Sequence, residues 1–296
     1  MQLAAVAAAL AAPANNYVPR FDFALDAARA GQIRAEAAAR LPPDLQFDAS
    51  QQVVADFVNN GLQRGLCILG GGPGCGKSVV ARYIVQQRAL QDGVVLMAST
   101  HAAAELLSEF ACTVHSTANI PVGRSILPGF DAGHRHAHSL ATCHTFIWDE
   151  FSMSESLVLT NFLLRLCQAQ STPDVREMLQ RNTIFLVGDC CQLPPVCSRC
   201  PLLLGVCPKH NLIANHHFEA AYHSQRRFEL EVNHRNPGFA HTLNAIRRQH
   251  QHPLTQVRPR RTVLALALAL RACPSLPLLC RLGWTSTSTA SSRTSS

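Results

Sequence analysis

Between Phe47 and about Val196, short apolar runs alternate with segments of helix-forming composition. The apolar runs are LCILG, GVVLMAS, TFIWDE and TIFLVGD, and the helix-forming segments include SVVARYIVQQRAL and HAAAELLSEF. A short continuous apolar run is typical of a strand buried on both faces, and its alternation with helices is typical of a parallel sheet. The pattern therefore predicts a three-layer α/β domain, in which helices cover both faces of a parallel sheet.

The two ends of the chain differ from this middle part in composition. Residues 1–45 are rich in alanine, and AARAGQIRAEAAARL predicts a leader or peripheral helix that ends before Pro42 and Pro43. Residues 256–296 combine Leu-Ala alternation, prolines and a Ser/Thr-rich end, a composition that predicts a disordered tail. From Arg226 to Arg261, eight arginines accompany only two glutamates. This part of the chain can either contact nucleic acid or simply stay solvated.

Composition and charge exclude several classes of protein. Twelve cysteines occur without a secretory signal before them, which favours a reducing compartment over a disulfide scaffold. The apolar stretch TVLALALALRACPSLPLLC is interrupted by Arg271 and two prolines. It therefore lacks the ~20 uninterrupted apolar residues that a membrane span needs. We therefore expect a soluble, intracellular protein without a membrane partner.

The string GGPGCGKS matches the phosphate-loop (Walker A) pattern G-x-x-x-x-G-K-[ST]. It follows the apolar run LCILG and precedes a helix-forming segment, which is the context that a phosphate loop requires. Backbone N–H groups of such a loop surround phosphates, and the start of the next helix adds a partial positive charge. Lys77 would contact the β- and γ-phosphates, and Ser78 would bind Mg²⁺. The sequence thus predicts an ATP and Mg²⁺ site formed by Gly71, Gly72, Pro73, Gly74, Cys75, Gly76, Lys77, Ser78 and Val79.

Two further apolar runs end in polar residues that suit nucleotide hydrolysis. TFIWDE ends in Asp149, a candidate for the Mg²⁺ shell, and Glu150, a candidate general base. TIFLVGD is followed by Gln192, which would sense the γ-phosphate. Carboxyl ends of strands in an open α/β sheet lie where ligands bind, although an acidic pair after a strand can also be a solvated strand end.

Several strings together resemble one family over residues 47–240. IWDEFSM and GDCCQLPPV are close to the DE-x-SM and GD-x-x-QLPPV patterns of the Pif (petite integration frequency) type helicases of superfamily 1, which are related to the Helitron and RecD-like helicases. FDASQQVV, MASTHAAAELL, TVHS and LEVNHRN resemble further segments of the same family. The resemblance implies that Gln51 reads the adenine base and that Arg235 reaches the γ-phosphate. It also implies that single-stranded DNA contacts Thr100, His101, His115 and Ser116.

The resemblance implies a RecA-like domain over residues 46–228 and the start of a second motor domain over 229–255. Its activity would be ATP-driven 5′-to-3′ movement on single-stranded DNA with unwinding of duplex junctions, in repair, recombination or telomere maintenance. In a eukaryote the protein would lie in the nucleus or mitochondrion. Later helicase segments do not follow Arg235, so we expect an incomplete second motor domain. A non-catalytic remnant that binds ATP or DNA is therefore the alternative, and a phosphate-loop kinase or transport ATPase is disfavoured because QLPPV and TVHS have no role there.

Two clusters of potential metal ligands lie outside the nucleotide motifs. Cys197, Cys200, Cys207 and His210 have the spacing C-x2-C-x6-C-x2-H, which suits either a zinc site or an ordinary cysteine-rich loop. The second cluster is interpreted as solvated loop histidines and comprises His134, His136, His138, Cys143 and His144.

Overall fold

A computed structural model describes residues 23–190, apart from 62, 123–126 and 128, together with 215–235 and 238. These residues form one compact unit. The predicted tail at 256–296 and the four candidate zinc ligands lie outside the described residues, as do Gln192 and the QLPPV string.

The centre of the fold is a six-stranded sheet in the order β3-β2-β4-β5-β1-β6, and every neighbouring pair is parallel. The strands are β1 (Gly65–Gly71), β2 (Val94–Ala98), β3 (Cys112–Thr113), β4 (Thr145–Asp149), β5 (Thr183–Gly188) and β6 (Arg227–Leu230). Register pairs Ala98 with both Thr113 and Asp149, and Gly71 with Leu230, so the carboxyl ends of all six strands meet at one edge.

Nine α-helices and one 3-10 turn accompany these strands in the described part of the chain. The helices are α1 (Phe23–Ala39), α2 (Ala49–Asn59), α3 (Lys77–Asp92), α4 (His101–Leu107), α5 (Val114–Thr117), α6 (Ala137–Thr142), α7 (Ser156–Ala169), α8 (Val175–Arg181) and α9 (His216–Tyr222). The 3-10 turn, Phe151–Met153, follows β4 directly.

Alternate residues of the central strands enter two separate hydrophobic cores. In β4, Phe146 and Trp148 pack into one core with Phe162 of α7, whereas Ile147 packs into the other with Ile84 of α3. Each strand is thus buried on both faces, which explains why its sequence is an uninterrupted apolar run. The predicted fold class, a parallel sheet between two helical layers, is confirmed.

The structure differs from the sequence-based expectation at the last strand. β6 pairs with β1 over Arg227–Leu230, so it crosses the boundary that we placed at residue 228 between the first and second motor domains. The sheet of the first domain therefore continues at least to Leu230. The polar residues Arg227 and Glu229 alternate with buried Phe228 and Leu230, as is common for a strand at a sheet edge.

Helix α1 is a part of the packed domain, although the sequence left open whether it is a leader or a peripheral helix. Ile33 and Ala37 are 5% and 6% exposed and lie in the same core as Ile84 of α3. The Glu36 carboxylate accepts hydrogen bonds from the Ser108 hydroxyl and from the backbone N–H of Glu109. Apolar burial and these polar contacts fix α1 against α3 and the end of α4.

We expect Ile33→Ala to lower the free energy of unfolding by about 2 to 4 kcal/mol, since truncation removes buried methyl groups and leaves a cavity. Arg34→Ala changes the next, exposed residue of the same helix and should cost less than about 0.5 kcal/mol. Urea unfolding followed by circular dichroism measures both. Equal effects of the two substitutions would show that α1 is not part of the cooperative unit.

Candidate nucleotide-binding site

The phosphate loop connects the end of β1 to the start of α3 at the carboxyl edge of the sheet. β1 is buried at all seven positions, and α3 begins at Lys77. Gly74 and Gly76 have φ values of +78° and +81°, a region that residues with a Cβ rarely adopt. The sequence therefore folds here into the strand, loop and helix order that the phosphate-loop pattern predicts.

Lys77 holds the loop closed in the structure. Its Nζ donates hydrogen bonds to the carbonyl oxygens of Gly71 and Gly72, both at 3.0 Å. The loop carbonyls thus pair with the lysine, and Ser78, the next residue of α3, is exposed. An ammonium group at the mouth of a loop of backbone N–H groups suits an anionic phosphate chain.

Gln51 supports the loop from helix α2. Asp48 caps this helix, because its Oδ1 accepts hydrogen bonds from the backbone N–H groups of Ser50 and Gln51, at 2.8 and 3.0 Å. The Gln51 Oε1 accepts a hydrogen bond from the backbone of Asp48, and its Nε2 donates one to the Cys75 carbonyl at 3.2 Å. The side chain is 3% exposed and positions the phosphate loop. Its predicted contact with the adenine base stays a prediction.

Residues 233–235, which follow β6, also contact the loop. Asn233 Nδ2 donates to the Pro73 carbonyl at 2.9 Å, and the backbone N–H of His234 donates to the Gly74 carbonyl at 3.0 Å. The His234 Nε2 lies 2.8 Å from Asp48 Oδ2, which connects this segment to the cap of α2. Arg235 is exposed, and its Cβ lies 2.9 Å from the position that a Cβ on Gly74 would take. The structure thus brings Arg235 close to the phosphate loop.

Asp149 and Glu150 lie at the end of β4, which is separated from β1 by β5. Asp149 Oδ1 accepts a hydrogen bond from the backbone N–H of Glu150 at 2.9 Å, and Glu150 has φ +52°. Burial raises the pKa of Asp149 to about 6, and the Glu150 charge adds to the shift, whereas the nearby cations Lys77 and Arg82 oppose it. The Glu150 Oε2 atom is buried without a hydrogen-bond partner.

Ser99, which our sequence analysis did not identify, orients this acidic pair. Its Oγ donates to the Glu150 carbonyl at 2.7 Å and accepts from Trp148 Nε1 at 3.0 Å. The same atom lies 2.8 Å from the Ser154 hydroxyl. A polar residue at the carboxyl end of β2 was visible in the sequence. Its partners across β4 could not be read there, because the sheet order was not known.

These residues fit a magnesium nucleotide. Lys77, the N-terminus of α3 and the loop N–H groups suit the phosphates, while Ser78 and Asp149 are the oxygen ligands that Mg²⁺ prefers. A buried carboxylate oxygen without a partner, on Glu150, suits a hydrogen bond from a water molecule. Asp189 is buried at the end of β5, and Gln192 lies outside the described residues.

The four residues predicted to contact DNA lie at the same edge of the sheet, after β2 and β3. Thr100 caps α4 by accepting a hydrogen bond from the Ala103 N–H at 3.2 Å, and the His101 side chain is 82% exposed. Burial lowers the pKa of His115. Ser116 Oγ accepts a hydrogen bond from the exposed Arg135 at 2.6 Å. Arg135 is therefore an additional cation beside this group.

Among the residues that the structure describes, no group of three or more His, Cys, Asp or Glu side chains is arranged to hold a metal ion. The histidine cluster has separate polar partners: His138 Nε2 lies 2.7 Å from Asp26, and His144 Nδ1 lies 3.2 Å from Asn182. The described helices also include none that is long and apolar enough to cross a membrane.

Several known proteins are similar to this chain in sequence or fold. The family model of an AAA domain matches residues 55–198. A search of curated proteins finds no match. The Pif1 helicase from Candida albicans has 22% sequence identity and a TM-score of 0.55, with 69% of this chain and 44% of that chain covered. Pif1 from Bacteroides sp in complex with ADP-AlF4 has 21% identity and a TM-score of 0.53, with coverage of 69% and 46%.

The chain has the RecA-like fold of the Pif1 helicases. This confirms the fold that the resemblance implied. A structure of Bacteroides Pif1 bound to single-stranded DNA matches to a similar degree, with 21% identity, a TM-score of 0.54 and coverage of 69% and 46%. The chain spans less than half the length of each of these Pif1 structures.

The Pif1-like phosphate loop should not tolerate Gly76→Ala. The substitution imposes φ +81° on an alanine and brings its Cβ into contact with Gln51 Nε2. We expect nucleotide affinity to fall at least about tenfold, as measured by fluorescence titration with a mant-labelled ADP. Gly31→Ala in α1, where a Cβ would meet no atom within 4 Å, is the control and should leave affinity unchanged. Unchanged affinity in both variants would contradict the assigned loop geometry.

The raised pKa of Asp149 predicts a pH-dependent effect of Asp149→Asn. The folded-state pKa of about 6 exceeds the unfolded value of 3.8, so this carboxyl stabilises the fold below the lower value and loses that contribution as pH rises through 6. At pH 7.5, Asp149→Asn should raise the free energy of unfolding by about 2 to 3 kcal/mol. In urea unfolding, the difference in free energy between the variant and the unmodified chain should become smaller towards pH 4.5. If the difference in unfolding free energy between Asp149→Asn and the unmodified chain did not depend on pH, the buried charge of Asp149 would not be its cause.

Proposed function

We propose that the chain is the ATP-hydrolysing motor domain of a DNA helicase, which moves 5′-to-3′ on single-stranded DNA and unwinds duplex junctions. The observation that carries this proposal is the position of Glu150, whose buried, unpartnered Oε2 atom lies beside Asp149 at the edge that holds the phosphate loop. A protein that only bound nucleotide would not need a free carboxylate oxygen there, because leaving it unpaired costs stability.

Each polar residue of the site has a defined task in this reaction. The oxygen of a water molecule bonds to the γ-phosphorus, and the bond between the γ-phosphorus and the ADP oxygen breaks. Glu150 accepts the proton that this water molecule loses. Lys77 leaves the Gly71 and Gly72 carbonyls and neutralises the phosphate oxygens. When bound through Asp149 and Ser78, Mg²⁺ supplies additional positive charge for the phosphates. Arg235, held beside Gly74, adds charge from the side of β6.

The proposed DNA contacts lie on the other half of the same sheet edge. Ser99 connects the two halves, because it follows β2, bonds the Glu150 carbonyl and immediately precedes Thr100. A change at Glu150 on hydrolysis therefore reaches the start of α4 through one hydrogen bond. Similar structures include Bacteroides Pif1 bound to single-stranded DNA and Pif1 helicases that unwind forked double-stranded DNA. We propose the same class of partner for this chain.

The alternative function is ATP or DNA binding without turnover. The aligned part covers only 44% to 48% of the Pif1 chains, so the activity of a whole Pif1 helicase is a proposal for this chain. In phosphate-loop hydrolases, losing an arginine that stabilises the transition state costs orders of magnitude in rate. A nuclear or mitochondrial location and roles in repair, recombination or telomere maintenance stay predictions.

ATP hydrolysis with and without single-stranded DNA distinguishes the two functions. We expect turnover by the purified chain to rise at least about tenfold on addition of an unstructured oligonucleotide, and Glu150→Gln to lower it at least about a hundredfold. The substitution keeps the size of the side chain and removes the base, so binding of mant-ATP should persist.

The controls distinguish a folded but inactive motor domain from an unfolded protein. Glu177→Gln, in helix α8 before the amino end of β5, should leave DNA-stimulated turnover unchanged. Nucleotide binding by the unmodified chain without any DNA-stimulated turnover would exclude the motor and leave the non-catalytic function. Turnover that survives in Glu150→Gln would refute the role of Glu150.

A further inference from the structure

Glu150, the proposed general base, has an uncommon backbone conformation. Its φ and ψ angles are +52° and +37°, in the left-handed region that residues with a side chain seldom adopt. Such a conformation costs free energy and persists only where neighbouring contacts impose it. The groups that hold the Glu150 backbone therefore also decide where its carboxylate lies.

Hydrogen bonds account for part of this restraint. The backbone N–H of Glu150 donates to Asp149 Oδ1 at 2.9 Å. The Glu150 carbonyl accepts hydrogen bonds from Ser99 Oγ at 2.7 Å and from the Met153 N–H at 3.1 Å. These bonds fix the backbone of Glu150, whereas its carboxylate oxygen Oε2 has no partner. The packing of the next residue, Phe151, supplies a further restraint.

Phe151 packs against both strand β5 and helix α9. It is 1% exposed, and the centre of its ring lies 5.6 Å from that of Phe218, which is equally buried. It also contacts Gly188 at the end of β5. A Cβ on this glycine would lie 2.9 Å from Phe151 Cδ1 and 3.4 Å from the Phe151 backbone nitrogen. A side chain at residue 188 would therefore displace Phe151.

Helix α9 is fixed in turn to helix α7 by Asn215. The Asn215 Oδ1 caps α9, because it accepts hydrogen bonds from the backbone N–H groups of His217 and Phe218, at 3.0 and 3.3 Å. Its Nδ2 donates to Thr160 Oγ1 at 2.9 Å and to the Ser156 carbonyl at 3.3 Å, both in α7. Phe218 is therefore held against Phe151 by a helix with its own anchor in the domain.

We propose that Phe218 and Gly188 are positioning residues for Glu150, which act through the ring of Phe151. Their contacts keep the peptide group between Glu150 and Phe151 in place, and with it the left-handed backbone of Glu150. The carboxylate then stays at the edge of the sheet that holds the phosphate loop. This inference rests on the proposed function, since it concerns the placement of the general base. Its consequence is that disturbing the packing lowers turnover and leaves nucleotide affinity intact.

Steady-state ATP hydrolysis with single-stranded DNA tests the effect on turnover. We expect Phe218→Ala and Gly188→Ala each to lower kcat at least about tenfold, because a misplaced base transfers protons less efficiently. Phe218→Leu keeps most of the buried volume and should retain most of the turnover. The Kd for mant-labelled ADP should change less than about twofold in all three variants. A general loss of structure would raise that Kd as well.

Hydrogen exchange, measured by NMR, tests the packing without any need for turnover. The amides of Glu150 and Met153 should exchange at least about tenfold faster in Phe218→Ala and in Gly188→Ala, because local opening of this turn becomes easier. Phe57→Leu is the matched control, since the Phe57 ring packs against Phe185 and Phe228 in the other core, with ring centres 6.5 and 4.9 Å away. It should lower the urea midpoint and leave kcat and both exchange rates unchanged.

Failure of this inference and failure of the proposed function give different results. Unchanged exchange of the Glu150 and Met153 amides in both Phe218→Ala and Gly188→Ala would overturn the inference, with or without turnover. Unchanged kcat in both variants of an active chain would also overturn it. If the unmodified chain binds nucleotide without hydrolysing ATP, the proposed function fails, and the exchange rates alone then decide whether Phe218 and Gly188 hold Glu150 in place.

Discussion

Strand β1 lies between β5 and β6, and its seven buried residues fix where the phosphate loop can emerge. Parallel pairing brings the carboxyl ends of its neighbours to the same edge, so Asp149, Gly188 and Leu230 come near the loop although they are far apart in sequence. Backbone hydrogen bonding in the sheet, rather than contact between side chains, is therefore what assembles the site. The side chains then complete it through short polar contacts such as Lys77 with the loop carbonyls.

Some polar groups of the site have hydrogen-bond partners within the protein and others do not. The two kinds of group have different functions. Gln51, Asn233 and Ser99 have their hydrogen bonds inside the protein and act as supports. Glu150 Oε2 is left without a partner, and Asp149 has a raised pKa because its burial is not fully compensated. Buried charge and an unpaired oxygen both cost stability, and the surrounding cores supply enough apolar burial to retain them.

The sequence was informative where each residue's role depends on its neighbours along the chain. Continuous apolar runs identified the central strands, and the glycine spacing identified the phosphate loop. The D-x-x-Q spacing of Asp48 and Gln51 also held a readable capping signal, which we did not use. β6 was missed as a strand of the first sheet because four residues with alternating polarity resemble many loops. The contacts of Ser99 depend on the packing of distant segments, and no local pattern encodes such packing.

The way in which the chain leaves the sheet gives the phosphate loop a mechanical role. After β6, the backbone passes directly over the loop, and Asn233 and His234 attach to the carbonyls of Pro73 and Gly74 by one hydrogen bond each. Tension applied to the chain beyond Arg235 reaches these two bonds and the contact between His234 and Asp48 before it reaches the pairing of β6 with β1. The load path thus runs through the nucleotide site, so that pulling on this end of the domain deforms the loop before it deforms the sheet.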